Sequence, residues 1–311
     1  MPFFSVVIPL YNKEDQIRST IKNVIDQSYA DFELIIIDDG STDKSYEIAR
    51  SFSDERIIVL TQKNMGAGAA RNKGVAMAKG EFIAFLDADD IWHSNHLQCL
   101  HRSISKFPNM DWYSNAYDVK LSQHHIEKGS FLNNVHEKIT VIEDFFINSL
   151  SYPLVNTSSV ALRTKSFSDL GGFNESITSG QDIDLWIRLG LKYSLVFNDT
   201  HTSIYDKTVT NSLSKGNYQE SKYQLYNKYN SLAKFNVSLH NYLNILRYSL
   251  AIQCKLANNR TTLKKLKEQI DPYYLNWKQR LLLYLPRFLT VLLKKVHGFL
   301  IDNNLYVSSY N

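Results

Sequence analysis

Ser5-Val6-Val7-Ile8-Pro9-Leu10-Tyr11-Asn12 is the stretch whose reading decides the fold: an apolar run that stops on an aromatic ring and an amide. Such a run reads as a strand covered on both faces, the habit of parallel sheets. Ile17, Ile21, Val24 and Ile25 then recur at helical spacing. Phe32 to Ile37 is a second apolar run, and Ser41 and Asp43 can start a helix that packs through Tyr46, Ala49 and Phe52. Arg56 to Leu60 reads as a third strand, Ala67 to Lys79 as an Ala-rich helix and Glu81 to Leu86 as a fourth strand. This alternation predicts an α/β domain with a mainly parallel central sheet. Ligands of such sheets bind beyond the carboxyl ends of the strands.

Composition sets outer bounds. The 311 residues are 44% hydrophobic and 21% charged, which excludes disorder and collagen-like repeats. Cys99 and Cys254 stand far apart, outside metal-ligand spacing, so neither a disulfide framework nor a zinc site is expected. A reducing cytosol fits that usage. The start, Met1-Pro2-Phe3-Phe4, lacks the basic region of a signal peptide, and no apolar stretch reaches the ~18 residues of a spanning helix. The net charge of +4 is uneven: residues 255–311 carry +7 and the rest −3. A basic tail on a mildly acidic body points to an anionic partner. No recognition motif accompanies the charge, so nucleic acid is not expected.

The strand ends carry the chemistry. Asp38-Asp39-Gly40-Ser41 follows the second strand and Asp87-Ala88-Asp89-Asp90 the fourth. Five acids at two strand ends repel one another unless a cation or donors compensate. Paired carboxylates there suit Mg²⁺ or Mn²⁺, which take a few carboxylates plus phosphate oxygens. Each motif alone also suits a solvated turn. Gly66-Ala67-Gly68-Ala69-Ala70-Arg71 lacks the third glycine of a dinucleotide fingerprint. It is either a helix N-terminus with Arg71 near a nucleotide or a small-residue packing surface. Asp182, in Gly180-Gln181-Asp182-Ile183-Asp184-Leu185-Trp186, is either a helix cap or a general base in a cleft.

Taken in order, Ser5 to Asn12, Ile37 to Asp43, Ala70-Arg71-Asn72-Lys73-Gly74, Leu86 to Asp90 and Gly171-Gly172-Phe173-Asn174-Glu175 leading into Gly180 to Trp186 resemble the family 2 glycosyltransferases of GT-A fold, a Rossmann-like architecture. The resemblance covers roughly residues 3–212. It implies that Tyr11 stacks on uracil beside Pro9 and that Asp39 accepts from the uracil N3–H. Arg71 would lie near the nucleotide, Asp87 would hold ribose or sugar with Ala88 beside it, and Asp89 would bind the Mn²⁺ or Mg²⁺ that bridges the diphosphate. Asp182 would be the catalytic base of an inverting single displacement.

There are departures. Gln181 stands where the family often has Glu, and no His follows Tyr205 as a metal ligand. The Gln-x-x-Arg-Trp signature of processive synthases is absent, so single-sugar transfer is expected.

The expected organisation is a GT-A domain over 1–214, with a nucleotide-binding part at 1–110 and an acceptor-binding part at 111–214, then a helical, basic region at 215–311. The expected function is transfer of one sugar from a UDP-sugar to a glycan acceptor, lipid-linked, in bacterial surface polysaccharide synthesis. A catalytically silent nucleotide-sugar-binding or scaffold subunit is the alternative. A cytoplasmic location is expected, with a peripheral position on the inner membrane. Trp277 to Lys295 mixes leucines and aromatics with cations, broken by Pro286-Arg287. It would lie on an anionic membrane surface or pack on the core.

Overall fold

The computed structural model describes residues 1–131, 138–209 and 218–302. The first half runs β1 (Phe4–Leu10), α1 (Ile17–Ile25), β2 (Phe32–Asp38), α2 (Ser45–Arg50), β3 (Ile57–Thr61), α3 (Ala67–Met77) and β4 (Phe82–Phe85). Next come β5 (Ile91–Trp92), α4 (His96–Lys106), β6 (Trp112–Lys120), β7 (Ile126–Lys128), β8 (Ile139–Ile142) and α5 (Phe145–Asn148). β9 (Val160–Arg163), α6 (Thr164–Asp169), α7 (Gln181–Gly190) and β10 (Leu195–Asp206) complete the sheet. Beyond it lie α8 (Gln219–Lys228), α9 (Asn230–Ala233), α10 (Val237–Leu256), α11 (Arg260–Gln269), α12 (Trp277–Tyr284) and α13 (Arg287–Asp302).

The sheet has ten strands among the described residues, in the order β3-β2-β1-β4-β9-β6-β10-β5, with β7 on β6 and β8 on β10. From β3 to β4 every pairing is parallel, as the continuous apolar runs predict. Beyond β4 the sheet is mixed: β9 is antiparallel to both neighbours, β10 parallel to β6, and β5 antiparallel to β10. The break falls where the chain leaves β4 through the acidic turn and returns by a different route. That places a topological switch point beside Asp87 to Asp90, where α/β sheets hold ligands.

Two local expectations shift. α2 ends at Arg50, so Phe52 packs from the following loop, and β3 starts at Ile57. The stretch 110–210, irregular by sequence, supplies β6 and β10, the longest strands. Buried Ser114 and Asn115 interrupt β6, and register shifts at Asn198/His201 and His201/Ser203 break β10's alternation.

α8, α10, α11 and α12 share one apolar cluster with β6, β10 and α7, through Leu225, Leu243, Ala251, Leu266 and Leu283 on their side. The boundary at 214/215 lies outside the described residues. Part of the tail's charge is spent internally. Lys255 donates to the carbonyls of Leu283 (2.9 Å) and Leu285 (2.8 Å), and Arg280 donates to Leu275 O (2.8 Å). These cations satisfy carbonyls at the ends of short helices. α13 inverts the usual pattern: Phe288, Leu292, Val296 and Phe299 are exposed, whereas Thr290 is buried.

Candidate active site

The carboxyl ends of β1, β2 and β4 open into a cavity of ≈ 320 Å³ lined by Pro9, Tyr11, Lys13, Asp39, Arg71 and Asp87 to Asp89, among others. Local chemistry shapes each wall. Asn12 takes a left-handed conformation (φ 50°) after β1, and its Oδ1 accepts from the Thr42 amide at 2.8 Å. Leu10 O accepts the Asp39 amide at 2.7 Å. Tyr11 is thereby left 45% exposed, its ring free to take a planar ligand. Asp39 is buried and accepts from Gln62 Nε2 (2.8 Å), the Met65 amide (2.9 Å) and the Gly66 amide (2.8 Å). Those donors tie the β3–α3 loop to β2.

The small-residue segment resolves its two readings in part. A Cβ on Gly68 would come within 3.0 Å of the Gln181 side chain, and one on Gly74 within 2.4 Å of Val7. Glycine is therefore required at position 74 for α3 to pack on β1, whereas at position 68 a side chain would have to displace Gln181. The same helix presents Arg71, buried, to Asp87 as an ion pair, with its guanidinium 5.1 Å from the Phe173 ring.

The acids are compensated by protein donors. Lys13 Nζ lies 2.9 Å from Asp89 Oδ2. Burial pushes the Asp89 carboxyl up, the Lys13 charge opposes this and the Asp87 charge adds to it. Asp90 is buried, accepts from Ser158 Oγ (2.6 Å) and the Asp206 amide (3.1 Å), and is raised well above the usual range by burial and then by Asp87 and Asp89. Asp90 is thus structural, joining the acidic turn to β10 and the segment before β9.

Asp182 lies elsewhere in sequence but next door in space. It sits in the first turn of α7, after Gly180 in the left-handed region (φ 93°). A second cavity of ≈ 190 Å³ carries Asp182, Thr157, Thr178, Ser179 and Lys222, and it shares Arg71, Asp87 and Asp89 with the first. Gln181 also lines this cavity, with its Nε2 donating to Ile177 O at 2.6 Å. On the other face, buried Asp184 meets Arg188 (2.8 Å), Lys228 (2.8 Å) and the Tyr229 hydroxyl (2.7 Å). Burial works to raise the Asp184 carboxyl, but the hydrogen bonds from Lys228 and Tyr229 and the Arg188 charge outweigh it and hold the pKa low.

All eight residues singled out in the sequence, Pro9, Tyr11, Asp39, Arg71, Asp87, Ala88, Asp89 and Asp182, therefore surround two adjoining cavities. Lys13, Ser158, Tyr218 and Lys222 were not foreseen. Lys13 carried the faint signal of a cation just past a strand end, whereas Tyr218 and Lys222 come from the region without motifs. No three His, Cys, Asp or Glu side chains cluster for a metal among the described residues. Asp87 and Asp89 still fit Mg²⁺ or Mn²⁺, because such ions are commonly held by one or two carboxylates plus substrate phosphates.

A parallel half-sheet with a cavity at its switch point, joined to a second cavity to which Asp182 adds a further carboxylate, defines a GT-A-type α/β fold. The family described as "Glycosyl transferase family 2" matches residues 5–159, and the chain belongs to that family. The amylovoran biosynthesis glycosyltransferase AmsB of Erwinia amylovora is 33% identical over 208 residues, 62% of this chain and 66% of AmsB. Glycosyltransferase GlyA of Streptococcus pneumoniae is 31% identical over 148 residues, 46% of this chain and 21% of GlyA. The chain thus spans less than two thirds of the length of these curated relatives. S. aureus TarS 1–349 in complex with UDP-GlcNAc superposes with TM-score 0.70 at 19% identity, covering 98% of this chain and 93% of that one.

Proposed function

We propose that this chain is an inverting glycosyltransferase that moves a single sugar from a UDP-sugar, with Mg²⁺ or Mn²⁺, to a glycan acceptor in bacterial surface polysaccharide synthesis. The observation that carries the reading is the meeting of the two cavities at Asp87 and Asp89, with Asp182 across the junction. Tyr11 and Asp39 would hold the base, Pro9 and Ala88 line the donor, and Arg71 and Asp87 orient the sugar end. A divalent ion on Asp89 would supply Lewis-acid stabilisation of the departing diphosphate. Asp182 would take the proton of the acceptor hydroxyl as that oxygen attacks the anomeric carbon, and the sugar–phosphate bond breaks with inversion. Among the described residues the other carboxylates at the junction, Asp87 and Asp89, are ion-paired with Arg71 and Lys13, which supports a single displacement over a covalent intermediate.

A lipid-linked acceptor on the cytoplasmic face of the inner membrane is part of this reading. Its support is the exposed stripe of Trp277, Leu281 and Tyr284 on α12 and Phe288, Leu292 and Phe299 on α13, flanked by exposed Lys294 and Lys295. No described helix is long and apolar enough to cross a membrane. An apolar stripe beside cations suits peripheral binding to anionic headgroups. The TarS complex and the name of AmsB support a nucleotide-sugar donor and polysaccharide synthesis.

The test is a panel of nucleotide sugars scored for metal-dependent thermal stabilisation and for UDP release. Stabilisation by UDP-sugars with UDP release supports the proposal. Stabilisation without release, across all donors and metals, would instead identify a silent nucleotide-sugar-binding subunit.

A further inference from the structure

Lys222 projects from α8, outside the family-matched residues, into the cavity that holds Asp182. It is partly buried, and burial lowers its affinity for a proton while the Asp182 charge partly restores it. No ion pair or hydrogen bond engages its ammonium among the described residues. Its neighbours differ. Lys228, on the same helix, pairs with Asp184 at 2.8 Å, and Lys255 caps carbonyls at 2.8 and 2.9 Å.

The hydroxyls of Thr157, Thr178 and Ser179 line the same cavity and likewise make no side-chain hydrogen bond among the described residues. Asp87 and Asp89 are already matched by Arg71 and Lys13. Asp182 and Lys222 share a cavity without closing into a salt bridge, so each is left to meet a different part of a ligand.

The geometry points to Lys222, with the hydroxyls of Thr157, Thr178 and Ser179, as a subsite for an oxyanion carried by the acceptor, a phosphate ester or a carboxylate beside the hydroxyl that Asp182 deprotonates. An ammonium and three hydroxyls offer donors in several directions, as an oxyanion requires, and a charge-assisted bond in a recessed site is stronger than a neutral one. A neutral glycan would leave the ammonium desolvated and unmatched, which is unfavourable. This inference rests on Asp182 facing the acceptor.

The full chain, saturated with UDP and Mg²⁺, is titrated by calorimetry with glucose 1-phosphate, glucuronate and methyl glucoside. Wild type and Lys222→Arg should bind at least one anionic sugar about tenfold more tightly than methyl glucoside, or ~1.4 kcal/mol. Lys222→Met should lose that margin with UDP affinity unchanged. The phosphate and carboxylate arms tell the two oxyanion sources apart. Equal binding of all three sugars, binding of none, or a preference that survives in Lys222→Met overturns the inference while UDP binding leaves the donor reading standing. A wild-type chain that fails to bind UDP at all overturns the donor reading, and this inference with it.

Discussion

Asp182→Asn is the substitution that separates a catalytic carboxylate from a helix cap. Asparagine keeps the shape and can still occupy the first turn of α7, but it cannot accept a proton. Loss of a general base lowers turnover by ~10²–10⁴, or about 2.7–5.5 kcal/mol of barrier. The effect on stability should be far smaller. Asp182 makes no side-chain hydrogen bond or ion pair among the described residues, so what is lost is its interaction with the helix dipole. That is worth ~0.3–1 kcal/mol, a melting shift of a few degrees at most. Removing its charge also leaves Lys222 without its nearest carboxylate field, a penalty softened by that side chain's partial exposure.

The assay is UDP release from whichever UDP-sugar the donor panel selects, with water as acceptor where none is supplied, alongside calorimetric UDP affinity and a melting curve. The expected pattern is a collapse of turnover with UDP affinity and melting nearly unchanged. Turnover equal to wild type would refute the assignment, and an equal loss of UDP binding and stability would show that Asp182 merely caps the helix.

Asp89→Asn should abolish metal-dependent UDP release and mimic EDTA treatment, and because it also strips buried Lys13 of its carboxylate the melting temperature should fall as well, whereas EDTA alone leaves it in place; activity indifferent to both would remove the metal from the reading. Asp184→Asn should destabilise by about 2–3 kcal/mol in urea titration, since it strips two cations of a buried partner, one of them half exposed. The same carboxyl has a lowered folded pKa, so its contribution is complete above ~4, the unfolded value, and is lost as pH falls through the lower folded value. A urea midpoint in Asp184→Asn with the wild-type pH dependence below that point would contradict this. The triple change Trp277→Ser, Phe288→Ser and Phe299→Ser removes exposed rings, so it should abolish salt-sensitive sedimentation with anionic vesicles without altering UDP release; unaltered sedimentation would exclude this stripe as the contact.

The parallel half of the sheet was legible because its signals are redundant. β1, β2 and β4 are apolar on both faces, their helices keep strict spacing, and the polar residues that matter fall directly after the strands. The far half hid for a physical reason. β6 buries Ser114, which meets Ser159 Oγ at 2.9 Å, and Asn115, whose Nδ2 donates to His96 O at 3.1 Å, so it shows no apolar run. β10 carries register shifts that destroy its period. The compensation of the acidic turn was equally opaque, since Lys13 and Ser158 are ordinary polar residues whose partners lie far off in sequence. The tail's charge could be counted but not apportioned: Lys255 and Arg280 look the same in sequence as Lys294, yet they cap buried helix ends.

The two adjoining cavities are built from different parts of the chain, and under the proposed function this bears on how such a protein changes its substrate. The family-matched residues, 5–159, contain every side chain assigned to the nucleotide sugar. Asp182, Thr178, Ser179 and Lys222 lie beyond them, and Thr157 lies near their end. Asp184, one position past Ile183, bolts α7 to α8 through Lys228 and Tyr229, and the same α8 brings Lys222 to Asp182. Tyr226 of α8 and Tyr242 of α10 lie close enough for the Asp182 charge to raise their hydroxyl pKa further, after burial has already done so. The helices after β10 thus contribute to the wall of the second cavity rather than forming an appendage. Changes in α8 can remodel the second cavity, where the proposed acceptor would sit, while leaving Tyr11, Asp39 and the acidic turn untouched, because the two cavities share only their junction at Ala67, Arg71, Asp87 and Asp89.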